Sequence, residues 1–162
     1  MSHPTAATIP HIPVTNPAYG SGIYRRRVRL TRSPGAMLAE MEDCNHGFKT
    51  VVEHDGEQVS AIRGEALRTP LTTCNEALSQ LQRLVGASIR CSAVELNVIA
   101  DARANCTHWL DLTVLAINQI PRESDTRLYD VAVTDEINGL SQLRVYLDGE
   151  LVHDWRARGM EL

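Results

Sequence analysis

The sequence predicts an α+β protein, with a mainly antiparallel sheet and two principal helices packed on one face. Apolar and polar residues alternate in the first third of the chain, which indicates strands. Helix-forming sequence follows between residues 69 and 120, and alternation returns from residue 126. Asp-Gly pairs at positions 55–56 and 148–149 are typical of tight hairpins. A sheet that is apolar on one face needs a second layer, which the helices supply.

Composition narrows the class of protein. The chain has 162 residues, a formal charge of −4, 43% hydrophobic residues and 22% charged residues, as a soluble globular domain does. An acidic chain with one Phe and two Trp does not suggest nucleic-acid binding. We find no apolar run long enough to span a membrane and no signal peptide, so we expect a cytoplasmic protein with four reduced cysteines.

Proline content separates a tail from the domain. Residues 1–20 hold four of the seven prolines, so we expect a flexible N-terminal tail. Residues 21–162 form the single α+β domain. It begins with "SGIYRRRVRLTR", which as a strand carries Arg25, Arg27 and Arg29 on one face and Val28 and Leu30 on the other. This strand opens a predicted meander of three or four strands.

Both predicted helices begin with a cysteine. Thr73 and Glu76 match a capping box for the first helix, which Gly86 ends. Asn105 would cap the second helix, which ends before Pro121. Residues 87–100 are ambiguous and are expected to connect the two. Alternating strands return over residues 126–136 and 140–155.

The segment "DARANCTHWLDL", residues 101–112, gathers the candidate site residues. A helix N-terminus favours a thiolate, so Cys74 and Cys106 are expected to have lowered pKa values if solvent reaches them. The same field keeps His108 neutral, and Asp111 could orient its ring. Asp101 and Arg103 precede the helix on a loop.

Three interpretations of this segment remain open. In an enzyme, His108 is the general acid or base, Cys106 a nucleophile or second proton carrier, and Asp101 or Asp111 orients the imidazole. In a metal or sulfur carrier, zinc or an iron–sulfur cluster is held by Cys74, Cys106, His108 and Asp101. In a structural role, the thiols are small core residues and His108 is a capping or hydrogen-bonded core group.

Arginines supply candidate anion-binding groups. Arg103 would hold a negatively charged substrate, helped by Arg25, Arg27 and Arg29. Alternatively, these three strand arginines form a solvated face, paired with carboxylates such as Glu40, Glu42 and Glu53. Trp109 is expected in the core or in the wall of the substrate pocket.

Three motifs carry a resemblance to known proteins. "GIYRRRVRLTR", "GEALRTPLTTC" and "DARANCTHWLDL" together resemble an uncharacterised bacterial family, a domain of unknown function, over roughly residues 21–120. The resemblance implies a shared fold and site but no reaction. The order of strands and Cys-led helices is also similar to the iron–sulfur scaffold and sulfur-acceptor fold, in which three cysteines and a histidine or aspartate gather at one end.

The function expected from the sequence is that of a small enzyme acting on an anionic or acyl-type small molecule. The chemistry would be that of a lyase, isomerase or hydrolase without a cofactor, since no nucleotide-binding motif is present. The alternatives are the metal or sulfur carrier and an accessory binding subunit. The sequence leaves homo-oligomer formation open.

Overall fold

Seven strands form one antiparallel sheet in the computed structural model, which describes residues 21–71, 74 and 76–159. The strands are β1 (Ile23–Ser33), β2 (Ala36–Asp43), β3 (Gly47–His54), β4 (Val59–Arg68), β5 (Thr126–Thr134), β6 (Leu140–Leu147) and β7 (Glu150–Arg158), in the spatial order β4-β3-β2-β1-β5-β6-β7. The predicted meander is therefore four-stranded. The tail at residues 1–20 and the predicted cap at Thr73 lie outside the described residues.

Strand β1 lies at the centre of the sheet and joins its two halves. It pairs with β2 through contacts such as Val28 with Met41, and with β5 through contacts such as Val28 with Tyr129. Val28 and Leu30 are buried, whereas Arg25, Arg27 and Arg29, which alternate with the core-facing residues, are exposed. One face of β1–β4 thus carries the core, as the alternation of the sequence predicts.

Among the described residues, three α-helices follow β4 in the chain and precede β5. They are α1 (Ala77–Leu81), continued by a 3₁₀ turn at Gln82–Leu84, α2 (Ala93–Ala100) and α3 (Thr107–Gln119). The α+β class is confirmed, but the expectation of only two principal helices is wrong. Helix α2 occupies the stretch that we expected to be a connection, and a capping box between Ser92 and Glu95 begins it.

Helix α3 packs on the buried face of the sheet through Trp109. The indole is 1% exposed, stacks on Phe48 with ring centroids 4.9 Å apart, and donates its Nε1–H to Thr50 Oγ1 over 2.7 Å. A Cβ atom on Gly64 would come within 2.6 Å of the Trp109 ring. Glycine at this position of β4 therefore lets the helix approach the sheet closely.

Strands β5–β7 extend the sheet beyond the core, and none of their residues is fully buried. The hairpin between β6 and β7 turns at Asp148 and Gly149, both with positive φ, as the Asp-Gly pair predicts. No described helix has the length and apolar character needed to cross a membrane.

Candidate functional site

A buried carboxylate, Asp43, organises the end of β2 nearest to α3. Its Oδ2 accepts hydrogen bonds from the Tyr24 hydroxyl at 2.8 Å and from Arg26 Nη2 at 2.8 Å. Its Oδ1 accepts from the backbone N–H groups of Asn45 and His46, both at 2.8 Å. Asp43 is 5% exposed, so these donors replace the water that a charged group would otherwise need.

The hydrogen bonds keep Asp43 ionised. Burial by itself would raise the pKa of the carboxyl group, but the N–H of Asn45, the Tyr24 hydroxyl and Arg26 outweigh it and hold the pKa far below its usual value. Burial, together with the contact to Asp43, raises the pKa of the Tyr24 hydroxyl, which therefore remains a donor. Asp43 is an anion at any physiological pH.

His46 connects Asp43 to the start of α3. Its Nδ1 lies 3.0 Å from Asp43 Oδ1, and its ring is 8% exposed. Because an ionised carboxylate only accepts hydrogen bonds, Nδ1 must carry the proton. In the neutral ring Nε2 is then the acceptor. The His108 ring lies against the His46 ring, with the two ring centroids 4.1 Å apart and the ring planes inclined by 30°.

His108 is held in its neutral form. Burial lowers the pKa of the imidazole, and the neighbouring His46 and Arg26 lower it further. Asp43 and Asp111 act in the opposite direction but do not prevail. A neutral imidazole at pH 7 can accept a proton; burial is the main cause here, where the sequence predicted the field of the helix N-terminus.

Cys74, which precedes α1 and does not begin it as predicted, lies close to Cys106, the N-cap residue of α3, and both line one cleft with His108. Cys74 is buried and Cys106 is half-buried. The two thiols are within hydrogen-bonding reach of each other. Burial raises the pKa of Cys106; the N–H groups of Trp109 and His108 oppose this, whereas Cys74 reinforces it. The expectation that Cys106 has a lowered pKa is therefore wrong, because burial at the helix start outweighs the helix field.

These groups open onto a cleft of about 620 Å³, which we call the His46–His108 cleft. Its lining includes His46, Cys74, Arg103, Cys106 and His108. Arg103 lies in a 3₁₀ turn at Ala102–Ala104 and is exposed. The cleft thus combines a polar wall of imidazole and thiol groups with a cation at its mouth.

The remaining residues predicted from "DARANCTHWLDL" do not take the positions expected of them, although Asn105 also lines the cleft. Asp101 ends α2 with a φ of 55° and approaches Arg83 at 3.5 Å on the surface. Asp111 is exposed on α3, and Trp109 lies in the core instead of in the cleft wall. Asn105 does not cap α3, since Cys106 is the N-cap residue and the Asn105 amide donates to Ala100 and Asp101.

The strand arginines lie on the other face of the sheet. Arg25, Arg27 and Arg29 alternate with the core-facing residues of β1, and so point away from the cleft. Arg27 pairs with Asp130 over 2.6 Å, and Arg29 stands opposite Glu40 in the neighbouring strand. This arrangement matches a charged, solvated sheet face paired across strands.

Sequence reasoning missed the groups that support His108. None of the predicted site residues is Asp43, His46, Tyr24 or Arg26. A local signal was present in "EDCNHG", because an aspartate often accepts from backbone N–H groups two and three residues later. Nothing in the sequence pairs this turn with the start of α3.

Metal ligation was the second interpretation of the segment. Within residues 21–71, 74 and 76–159, no three His, Cys, Asp or Glu side chains are grouped so that they could hold a metal ion. The zinc and iron–sulfur alternatives stay predictions.

Comparison with known protein families, curated proteins and solved structures finds no match to this chain.

Proposed function

We propose that the chain is a cytoplasmic enzyme that acts on an anionic or acyl-type small molecule by acid–base chemistry in the His46–His108 cleft. The observation that carries the proposal is the linked series Asp43, His46 and His108, in which a buried anion fixes the tautomer of one imidazole and that imidazole contacts a second. This is a form of the carboxylate–imidazole pairing that orients a catalytic base.

Each group has a defined role in the proposal. His108 takes or returns a proton, since its pKa is lowered and it lines the cleft. Asp43 and His46 orient it and act as positioning residues. Cys106, a neutral thiol, serves as the second proton carrier; its raised pKa argues against a thiolate nucleophile at neutral pH.

Arg103 is the proposed anion-binding residue because it lines the same cleft and its guanidinium can hold a carboxylate or phosphate. The arginines of β1 are not part of the proposal. The proposed scaffold keeps α1 and α3 on one face of the sheet. This is supported at Gly64, where a Cβ atom would point at Leu78 of α1 and Trp109 of α3.

The experiment follows the ring protons of the histidines by NMR while small carboxylates, phosphate monoesters and acyl thioesters are titrated into the protein. A ligand of the cleft shifts the His46 and His108 signals together. Its affinity should fall about tenfold or more in Arg103→Gln, as expected when a charge-assisted hydrogen bond is lost. Arg90→Gln, another exposed arginine, is the matched control.

Any compound that binds is then assayed for turnover by product analysis. We expect His108→Gln to lower kcat by roughly 10² to 10⁴, the range of general acid–base catalysis. Activity should fall as pH drops below the ordinary histidine pKa of about 6.5, since His108 must be neutral. His54→Gln is the control. Turnover that survives both His46→Gln and His108→Gln would refute the proposal. Zinc or iron that is bound to the wild-type protein and lost in Cys106→Ser would instead favour the metal or sulfur carrier.

A further inference from the structure

The face of β5–β7 on the side of α3 is apolar although no residue there is fully buried. Register places Tyr129, Val131 and Val133 of β5 on the same side as Val28 of the core. The pairs continue outward to Leu143, Val145 and Leu147 in β6 and to Trp155 in β7, where His153 stands opposite Val145 and stacks on the Trp155 ring. We call this surface the β5–β7 face.

The opposite side of the same three strands is polar. It carries Asp130, Arg144 and Asp154, and the last two form an ion pair at 3.4 Å. An antiparallel sheet with one polar and one apolar face normally buries the apolar one. The apolar character of the β5–β7 face therefore indicates that another protein surface covers it.

We infer that the β5–β7 face packs against the same face of a second copy of this chain, about a twofold axis parallel to the strands. Stacked sheets lie about 10 Å apart, and a helix layer is about 10 Å thick. If the twofold axis ran across the strands, the helix-covered halves of the two sheets would face each other. The helices of both copies would then occupy the same space between the two sheets. An axis parallel to the strands instead puts each copy's helices beside the β7 edge of the other.

The available area suits such a contact. Three strands of eight or nine residues cover about 400 Å² in projection at ~3.4 Å per residue and ~4.8 Å per strand. Side-chain relief and the contact of the β7 edge with the other copy's helices add to this. The projected area alone is about half of the roughly 800 Å² per partner of a standard interface. The contact also covers β7, an edge strand with Leu151 and Val152 exposed.

Charges on the face are self-complementary. Arg127 of β5 stands beside Leu30, and its Nε is buried without a hydrogen-bond partner among the described residues. Glu150, the first residue of β7, stands opposite Leu147, which is opposite Tyr129. The twofold axis brings β7 of the second copy over β5. Glu150 of the second copy then lies within side-chain reach of Arg127, and the same pair forms twice.

The test is the mass of the full-length protein in solution by light scattering at micromolar concentrations. We expect twice the chain mass of 17.9 kDa. Val145→Asp, in the middle of the face, should yield monomer. Ala132→Asp, on the polar side of the neighbouring strand, should stay dimeric. Circular dichroism checks that each variant is folded.

Charge reversal tests the orientation. Glu150→Arg and Arg127→Glu should each weaken the dimer at least tenfold, and the double variant should recover most of the loss. Monomeric wild-type protein would overturn the inference, as would equal dissociation by Val145→Asp and Ala132→Asp. A dimer unaffected by both single reversals and by Val145→Asp would show that another surface forms the contact.

Discussion

Replacing Asp43 with asparagine tests the central contact of the site. Oδ1 and Oδ2 both accept from donors, so the new amide group faces donors in either orientation. The substitution also leaves Arg26, which is only 23% exposed, without its counter-ion. Removing one partner of a buried ion pair costs about 3–5 kcal/mol, so we expect a loss of that size in the free energy of unfolding.

The assay is urea denaturation at pH 7, with Asp130→Asn as the matched control. Asp130 also accepts from an arginine, but the side chain of its partner Arg27 is 59% exposed, so we expect little change. Because the folded pKa of Asp43 is depressed, its stabilisation is complete above the unfolded pKa of about 4 and is lost as pH falls below it. The difference between wild type and Asp43→Asn should therefore shrink in acid.

A loss of less than about 1 kcal/mol in Asp43→Asn would refute the reasoning, since that is the range of surface pairs. If the variant does not fold, Tyr24→Phe replaces it. This change removes a single hydrogen bond of 2.8 Å and should cost about 1–2 kcal/mol.

Three further predictions follow from the site and the core. His108→Gln should weaken the dependence of the free energy of unfolding on pH below about 6.5. The pKa of His108 is lowered in the folded state, so the wild-type protein loses stability as this imidazole takes up a proton. If wild type and variant show the same pH dependence in denaturation from pH 5 to 7, the prediction is wrong. Cys106 should alkylate more slowly with iodoacetamide at neutral pH than the exposed Cys44, as mass spectrometry of the labelled peptides would measure, and equal rates would contradict its raised pKa. Gly64→Ala should lower the free energy of unfolding by about 1–3 kcal/mol, because the new methyl group meets Trp109, and a neutral result would mean that α3 shifts freely.

The sheet was predictable because its signals are local. Alternation marked β1 and the C-terminal strands, and Asp-Gly pairs marked two hairpins. Helix α2 was missed because residues 93–100 are rich in Val, Ile and Ala without a clear stripe. Its capping box, Ser92 with Glu95, was the available signal.

The site was predictable only where one segment supplies it. Cys106 and His108 stand out as neighbours at the start of α3. His46 comes from a turn in the other half of the sheet, and no sequence pattern predicts that the two rings meet. The thiol pKa of Cys106 was predicted in the wrong direction because exposure, which sequence does not give, decides whether the helix field or burial prevails.

The central position of β1 has a consequence for folding in the cell. Its partner β2 follows immediately, but β5 arrives much later, since Arg27 and Asp130 are 103 residues apart. At about 5–20 residues per second, one edge of β1 waits roughly 5–20 seconds for its partner during synthesis. A flat apolar strand with an unpaired edge invites aggregation, whereas charges on the strand oppose it. The charges of Arg25, Arg27 and Arg29 on this strand therefore oppose aggregation of the nascent chain before Arg27 pairs with Asp130 in the finished sheet.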